Sequence, residues 1–176
     1  MITKDSEIKI KQVANFVQSW SRSYVERLIQ ADTSYDFQPA SMDCMCAYTS
    51  TVLLECLHWL GFKKAILHSN EYHVFICYEE LLIDITACQF SDKFQEIEVT
   101  PLDEFLTKEV VKKYCESYWE KKQTYLTVED AYHGLHHSSP VGFPSSQYFR
   151  RKQELFDAIN SAKLYIENSI CCSDML

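Results

Sequence analysis

The chain has 176 residues, of which 47% are hydrophobic, and a formal net charge of −8 at pH 7. This length and apolar content favour one compact domain spanning residues 1–176. The acidic balance and the lack of a dense basic stripe argue against nucleic acid as a partner. The first residues lack the apolar core of a signal peptide, and no apolar run approaches the roughly 18 residues of a membrane span, so we expect a soluble protein.

Eight cysteines could suggest a disulfide framework, but a chain with this many apolar residues does not need covalent cross-links. No export signal points to an oxidising compartment, so we expect reduced thiols. Cys56 and Cys77 lie inside apolar patterns, where a free cysteine usually behaves as a small buried hydrophobe. We therefore expect most of the eight cysteines to have no chemical role.

The first third of the chain predicts two helices. Apolar residues recur at helical spacing over residues 6–31, which indicates an N-terminal amphipathic helix. Residues 32–43 indicate a polar connection that ends in side chains able to cap a helix. A central helix is predicted from near Cys44 to Leu60, ended by Gly61. Its apolar stripe consists of Leu53, Leu57 and Leu60.

The remainder of the chain predicts a small sheet followed by two more helices. Residues rich in β-formers predict three strands, at 64–68, 73–78 and 81–86. Helices are predicted at 101–122 and 146–168, with a loop at 133–144 between them. This order of elements predicts an α+β domain.

Two cysteines lie near the predicted start of the central helix. A helix N-terminus supplies a positive dipole end and backbone N–H groups, which favour a thiolate and an oxyanion. Following the apolar stripe backwards by three or four residues leads to Cys46, whereas Cys44 falls in line with Tyr48 and Thr51. Helical phase therefore favours Cys46 as the nucleophile. Position favours Cys44, which would be the first helical residue if Asp43 caps the helix.

The second and third predicted strands form a hairpin with Glu79-Glu80 as its turn, so that residue i opposes residue 159 − i. In this register His73 and Asp84 are diagonal neighbours on one face, roughly 7 Å apart. The opposite face is apolar. A buried carboxylate is costly unless it is paired, so the sequence predicts a His73–Asp84 pair in which the carboxylate orients a general base.

The segment from Cys46 to Phe90 resembles the papain-like and transglutaminase-like cysteine hydrolases, especially small bacterial toxins and effectors. The matching residues are Cys46, Ser50, Leu53, Leu57 and Gly61 on the helix, then His73-Val74-Phe75, then Asp84-Ile85-Thr86-Ala87-Cys88-Gln89-Phe90. The resemblance implies a papain-like core over about residues 38–92, with the central helix packed on a small antiparallel sheet. It also implies a Cys46 nucleophile, a His73 base and an Asp84 orienter. Many members carry glycine or asparagine beside the nucleophile, where this chain has Met45 and Ala47.

The resemblance implies acyl transfer from an amide of a protein or peptide. Water as the acceptor gives a cysteine protease or a glutamine deamidase, and an amine acceptor gives a transglutaminase. Gln38, Cys44 and Gln89 are candidate oxyanion or substrate-binding residues, and no cofactor or metal is implied. We expect a cytoplasmic protein, or one delivered into the cytosol of a target cell without a secretion signal.

Two other hypotheses compete with the thiol enzyme. Zinc could be bound by Cys44 and Cys46 together with His73, or by the histidines of residues 133–137 together with the cysteine pair or with His73. However, Cys-x-Cys is not the usual structural-zinc spacing, and no second cysteine pair completes a set. Alternatively, the chain is a catalytically inactive papain-like domain that binds another protein, and its acidic character would suit a basic partner.

Overall fold

A computed structural model describes residues 2–31, 45–70, 72–119, 123–137 and 152–173. Its helices are α1 (Lys4–Ala31), α2 (Cys46–Trp59), α3 (Leu102–Thr107), α4 (Glu109–Tyr114), α5 (Val128–Ala131) and α6 (Lys152–Ser173). Its strands are β1 (Ala65–Ser69), β2 (Val74–Tyr78), β3 (Leu81–Asp84), β4 (Glu98–Pro101) and β5 (Gln123–Tyr125). The predicted α+β class is confirmed. Within these ranges no helix combines the length and the apolar character that crossing a membrane requires.

The strands form one antiparallel sheet in the order β4-β3-β2-β1-β5. In the hairpin of β2 and β3, Ile76 opposes Ile83 and Tyr78 opposes Leu81, which confirms the predicted register. The turn of this hairpin contains Glu79, whose φ of 52° lies in the left-handed region. Because side chains alternate across a strand, this register decides which residues share a face with Asp84.

The sheet separates two apolar layers. The face that carries Val74, Ile76 and Ile83 packs on α2, and this larger core extends to α1, α5 and α6. The opposite face carries Phe75 and Leu82. It is covered by a smaller cluster that includes Phe94, Phe105, Val111 and Tyr118. His73 and Asp84 are fully buried on this second side of the sheet.

Helix α2 begins at Cys46, with Met45 at its N-cap position, and Asp43 and Cys44 lie outside the described residues. Its end before Gly61 is confirmed, and the φ of 98° at Gly61 is a conformation that glycine adopts without strain. The argument from helical phase is wrong. Tyr48 and Thr51, on the side assigned to solvent, are buried because α1 and α6 pack against α2.

The outer helices follow the prediction closely. Helix α1 covers residues 4–31 and confirms the N-terminal amphipathic helix. Helix α6 covers the C-terminal prediction from residue 152 onward and continues to residue 173. The predicted polar connection at residues 32–43 lies outside the described residues.

The middle of the chain differs from the prediction at three points. The predicted helix at 101–122 is divided into α3, α4 and a short 3₁₀ turn (Glu116–Tyr118), because Lys108 adopts an extended conformation between the helices. Strands β4 and β5 were not predicted, since each is only three or four residues long and depends on pairing with a distant strand. The predicted loop at 133–144 is wrong over its described part, where a π-helical segment (Tyr132–His137) continues from α5.

Candidate active site

Cys46 is the first residue of α2, and its side chain is buried. Its thiol lies close enough to the imidazole of His73 to help raise the pKa of that ring. The first turn of a helix has backbone N–H groups without intrahelical acceptors and carries the positive end of the helix dipole. A thiol at this position is therefore close both to a base and to backbone donors.

His73 is held at the sheet end by the turn that precedes β2. Its backbone N–H donates to Oδ1 of Asn70 at 2.9 Å, and the Asn70 N–H donates to the His73 carbonyl at 3.0 Å. The ring Nε2 lies 2.6 Å from Oδ2 of Asp84, and both side chains are fully buried. With Nε2 bonded to the carboxylate, Nδ1 is the ring nitrogen left for the Cys46 thiol.

The Asp84 carboxylate is buried but well supplied with donors. Its Oδ1 accepts from the Thr86 backbone N–H at 2.8 Å and from the Thr86 hydroxyl at 3.0 Å. Its Oδ2 accepts from the Tyr118 hydroxyl as well as from His73. Burial raises the pKa of Asp84, but the charge of His73 and these hydrogen bonds outweigh it and hold the pKa below its ordinary value. Asp84 is therefore a buried anion whose charge is balanced by His73.

The same pair shifts the titration of His73 in the opposite direction. Burial lowers the pKa of His73, but the charge and hydrogen bond of Asp84, assisted by Cys46, raise it from 6.5 to about 10. Aromatic rings confine the imidazole, with Phe75 stacked at 5.9 Å and Phe90 edge-on at 4.7 Å between ring centres. His73 is thus an oriented, strongly basic imidazole, whose protonated form Asp84 favours once Nδ1 has accepted a proton.

Gln89 lies at the edge of this cluster, at the end of a short 3₁₀ turn (Ala87–Gln89) that follows Thr86. Its Nε2 donates to the Thr86 carbonyl at 3.0 Å and lies 3.5 Å from Nδ1 of His73. Unlike His73, the Gln89 side chain is only half-buried. The other two candidates for oxyanion or substrate binding, Gln38 and Cys44, lie outside the described residues.

Sequence reasoning did not assign roles to three residues that build this site: Asn70, Thr86 and Tyr118. Two of them had a local signal, because Asn in a turn and Asp-x-Thr at a strand end are patterns in which side chains bond the backbone two or three residues away. Tyr118 had none. It reaches Asp84 from a part of the chain 34 residues away.

The other described thiols differ from Cys46 in their surroundings. Cys56, Cys77, Cys88 and Cys115 are not joined in disulfides, and Cys56 and Cys77 are buried in the apolar layers as predicted. Burial raises the pKa of both Cys56 and Cys115 to about 12.

The zinc hypothesis gains no support from the part of the chain that the structure describes. Within it, no three His, Cys, Asp or Glu side chains are grouped so that they could hold a metal ion. His133 is exposed, and its Nε2 lies 3.2 Å from Oε1 of Glu129. Cys44 and the side chains of His136 and His137 lie outside the described set.

Comparison with known proteins finds no match to this chain, whether among protein families, curated proteins or solved structures. The papain-like resemblance therefore rests on the residues quoted above.

Proposed function

We propose that this chain is a thiol enzyme that transfers an acyl group from an amide of a protein or peptide, as a cysteine protease or a glutamine deamidase. Cys46 is the nucleophile, His73 the acid and base, and Asp84 the residue that orients His73. One observation carries the proposal: the imidazole of His73 interacts with both the Cys46 thiol and the Asp84 carboxylate, and Nε2 is the nitrogen that bonds the carboxylate.

The reaction follows from this arrangement. Once the Cys46 proton has passed to Nδ1 of His73, the sulfur attacks the amide carbon, an S–C bond forms, and the carbonyl π electrons move to oxygen. Backbone N–H groups at the start of α2 stabilise this oxyanion. The intermediate collapses as the C–N bond breaks, and His73 protonates the departing amine or ammonia. Water, deprotonated by His73, then hydrolyses the thioester.

The acceptor in the second half of the reaction determines the outcome. Water yields proteolysis when the amide is a peptide bond and deamidation when it is a glutamine side chain. An amine acceptor would give transglutamination with the same three residues. We also propose that the core is papain-like and that the enzyme acts in the cytoplasm or in the cytosol of a target cell.

Paired variants of the two neighbouring cysteines test this proposal. Cys46→Ser should abolish the hydrolysis of peptide bonds and of glutamine side-chain amides in a panel of substrates. A serine hydroxyl gives up its proton to a histidine far less readily than a thiol does, so it is a much weaker nucleophile at this position. Cys44→Ser is the matched control and should retain activity. Loss of activity in Cys44→Ser with retention in Cys46→Ser would assign the nucleophile to Cys44, and full activity in Cys46→Ser, His73→Ala and Asp84→Ala would contradict the proposal.

The burial of Cys46 favours a second candidate, a catalytically inactive domain that binds a protein partner. The Cys46 side chain is only 2% exposed, so a substrate amide reaches it only if the covering groups move aside. In an inactive domain the buried His73–Asp84 pair would serve stability alone.

Labelling separates the two candidates. If Cys46 is an activated nucleophile, iodoacetamide should modify it in the folded protein at about pH 6, as mass spectrometry of the Cys46 peptide would reveal. The His73→Gln variant should lose this reactivity. An inactive domain would leave Cys46 unmodified until the protein is unfolded.

A further inference from the structure

We propose that Gln89 is a catalytic residue that donates a hydrogen bond to the oxyanion formed when Cys46 attacks an amide carbonyl. This inference rests on the proposed thiol chemistry and adds a side-chain donor to the backbone N–H groups of α2. Gln89 comes from the short turn after β3 and lies beside the reacting atoms.

The orientation of the Gln89 amide is determined by a neighbouring acceptor. One N–H of Nε2 donates to the Thr86 carbonyl at 3.0 Å, which places nitrogen rather than oxygen toward His73. Thr86 is itself held by two bonds to Asp84. The carboxylate that orients His73 thus also anchors the residue that positions the amide.

Two N–H donors converge at this point. His73 carries its second proton on Nδ1 when it is an imidazolium, and Nε2 of Gln89 lies 3.5 Å from that atom. Once Nδ1 has taken the Cys46 proton, both nitrogens carry hydrogens and cannot bond one another, so both can donate to an acceptor beside them. A substrate oxygen next to the Cys46 sulfur, which also contacts His73, is an acceptor of this kind.

Burial supports a role in contact with substrate. Cys46, His73 and Asp84 are buried, whereas Gln89 is half-buried and therefore borders both the reacting atoms and solvent. The neighbouring Cys88 and Phe90 are half-buried as well.

The step is balanced without any further reactant. The C=O double bond becomes a C–O single bond as the S–C bond forms, and the negative charge that leaves sulfur appears on oxygen. Gln89 donates a hydrogen bond to that oxygen and transfers no proton. When the intermediate collapses, the C=O bond is restored and the Gln89 bond weakens to that of a neutral carbonyl.

Two probes of Cys46 distinguish an oxyanion donor from a residue that only supports His73. p-Nitrophenyl acetate acylates the thiol through an oxyanion, whereas iodoacetamide alkylates it by displacing iodide without forming one. Gln89→Met keeps the side-chain length and removes the donor. We expect it to slow acylation of Cys46 by on the order of 10²-fold while alkylation stays within about twofold of the unmodified protein. Gln95→Met, at an exposed glutamine, is the control and should change neither rate.

The outcomes separate failure of this inference from failure of the proposed function. A parallel fall in both rates, or no fall in either, would overturn the role of Gln89 while leaving the thiol enzyme intact. If Cys46 of the unmodified protein reacts with neither probe faster than the half-buried Cys88, the proposed function itself is wrong and the inference with it. Gln89→Ala provides a second variant with the same expectation should Gln89→Met fail to fold.

Discussion

Tyr118 and His73 bond to the same oxygen of Asp84, although His73 precedes Asp84 in the sequence by 11 residues and Tyr118 follows it by 34. The rings of Tyr118 and His73 also meet edge-on, with 5.1 Å between their centres. Tyr118 lies in the apolar cluster that covers the outer face of the sheet. The candidate site is therefore built into the second core of the protein, and its charges depend on that packing.

Removal of the Tyr118 hydroxyl should destabilise the protein measurably. In Tyr118→Phe the aromatic packing remains, but a buried charged oxygen loses one of its two donors. We expect the free energy of unfolding in urea to fall by about 1–3 kcal/mol. Tyr114→Phe, at a residue that is 52% exposed, is the matched control and should change it by less than about 0.5 kcal/mol. Equal effects of the two variants would contradict a structural role for the buried bond.

Asp84→Asn should have a larger effect, because it removes one partner of a buried ion pair. In asparagine, an NH₂ group replaces one of the two carboxylate oxygens. This group faces either the Thr86 donors or the donors of His73 and Tyr118, and it cannot accept their hydrogen bonds. The substitution also leaves His73 without its counter-charge. The loss in unfolding free energy should be about 3–5 kcal/mol, measured by urea denaturation. NMR titration of the imidazole should show a lower pKa for His73. Asp92→Asn, at an exposed loop residue, should leave both measurements almost unchanged.

The difference in stability between the unmodified protein and Asp84→Asn should depend on pH. The pKa of His73 is raised from 6.5 to about 10, so the folded state binds this proton more tightly than the unfolded state does. The resulting stabilisation is fully present below pH 6.5 and is lost as the pH rises toward about 10. Urea denaturation across this range should show that the difference in unfolding free energy between the unmodified protein and Asp84→Asn becomes smaller as the pH rises. Glu129→Gln, at an exposed carboxylate paired with Lys152, should show no such trend.

Acid should weaken the same pair by a different route. The pKa of Asp84 lies below its ordinary 3.8 in the folded protein, so its contribution is present above pH 3.8 and is lost as the pH falls through the lowered pKa. The unfolding free energies of the unmodified protein and of Asp84→Asn, measured by urea denaturation, should therefore approach each other at acidic pH. A difference that stays constant over both pH ranges would show that the His73–Asp84 charges do not contribute to stability.

Two buried thiols should remain inert in the folded protein. Burial raises the pKa of Cys56 and Cys115 to about 12, so almost no thiolate is present at neutral pH. Mass spectrometry after treatment with iodoacetamide should find both unmodified in buffer and modified once urea unfolds the chain. Modification of either in the folded protein at the rate of Cys46 would contradict this expectation.

Local patterns in the sequence determine the hairpin and most of the helices. The alternation of side chains on either side of Glu79-Glu80 was sufficient to predict the register that brings His73 to Asp84, because a two-residue turn leaves one pairing that buries the apolar face. Helix α1 and the end of α2 at Gly61 follow from apolar spacing and from the freedom of glycine at positive φ. These features depend on residues close together in the chain.

Contacts between distant segments decided the rest. Helical phase could not choose between the two cysteines, because α1 and α6 bury the side of α2 that the sequence assigned to solvent. The choice of Cys46 now rests on its contact with His73. Strands β4 and β5 exist because longer strands pair with them. Tyr118 is part of the site because packing against the outer face of the sheet brings its hydroxyl to Asp84, and no local pattern encodes a contact over that separation.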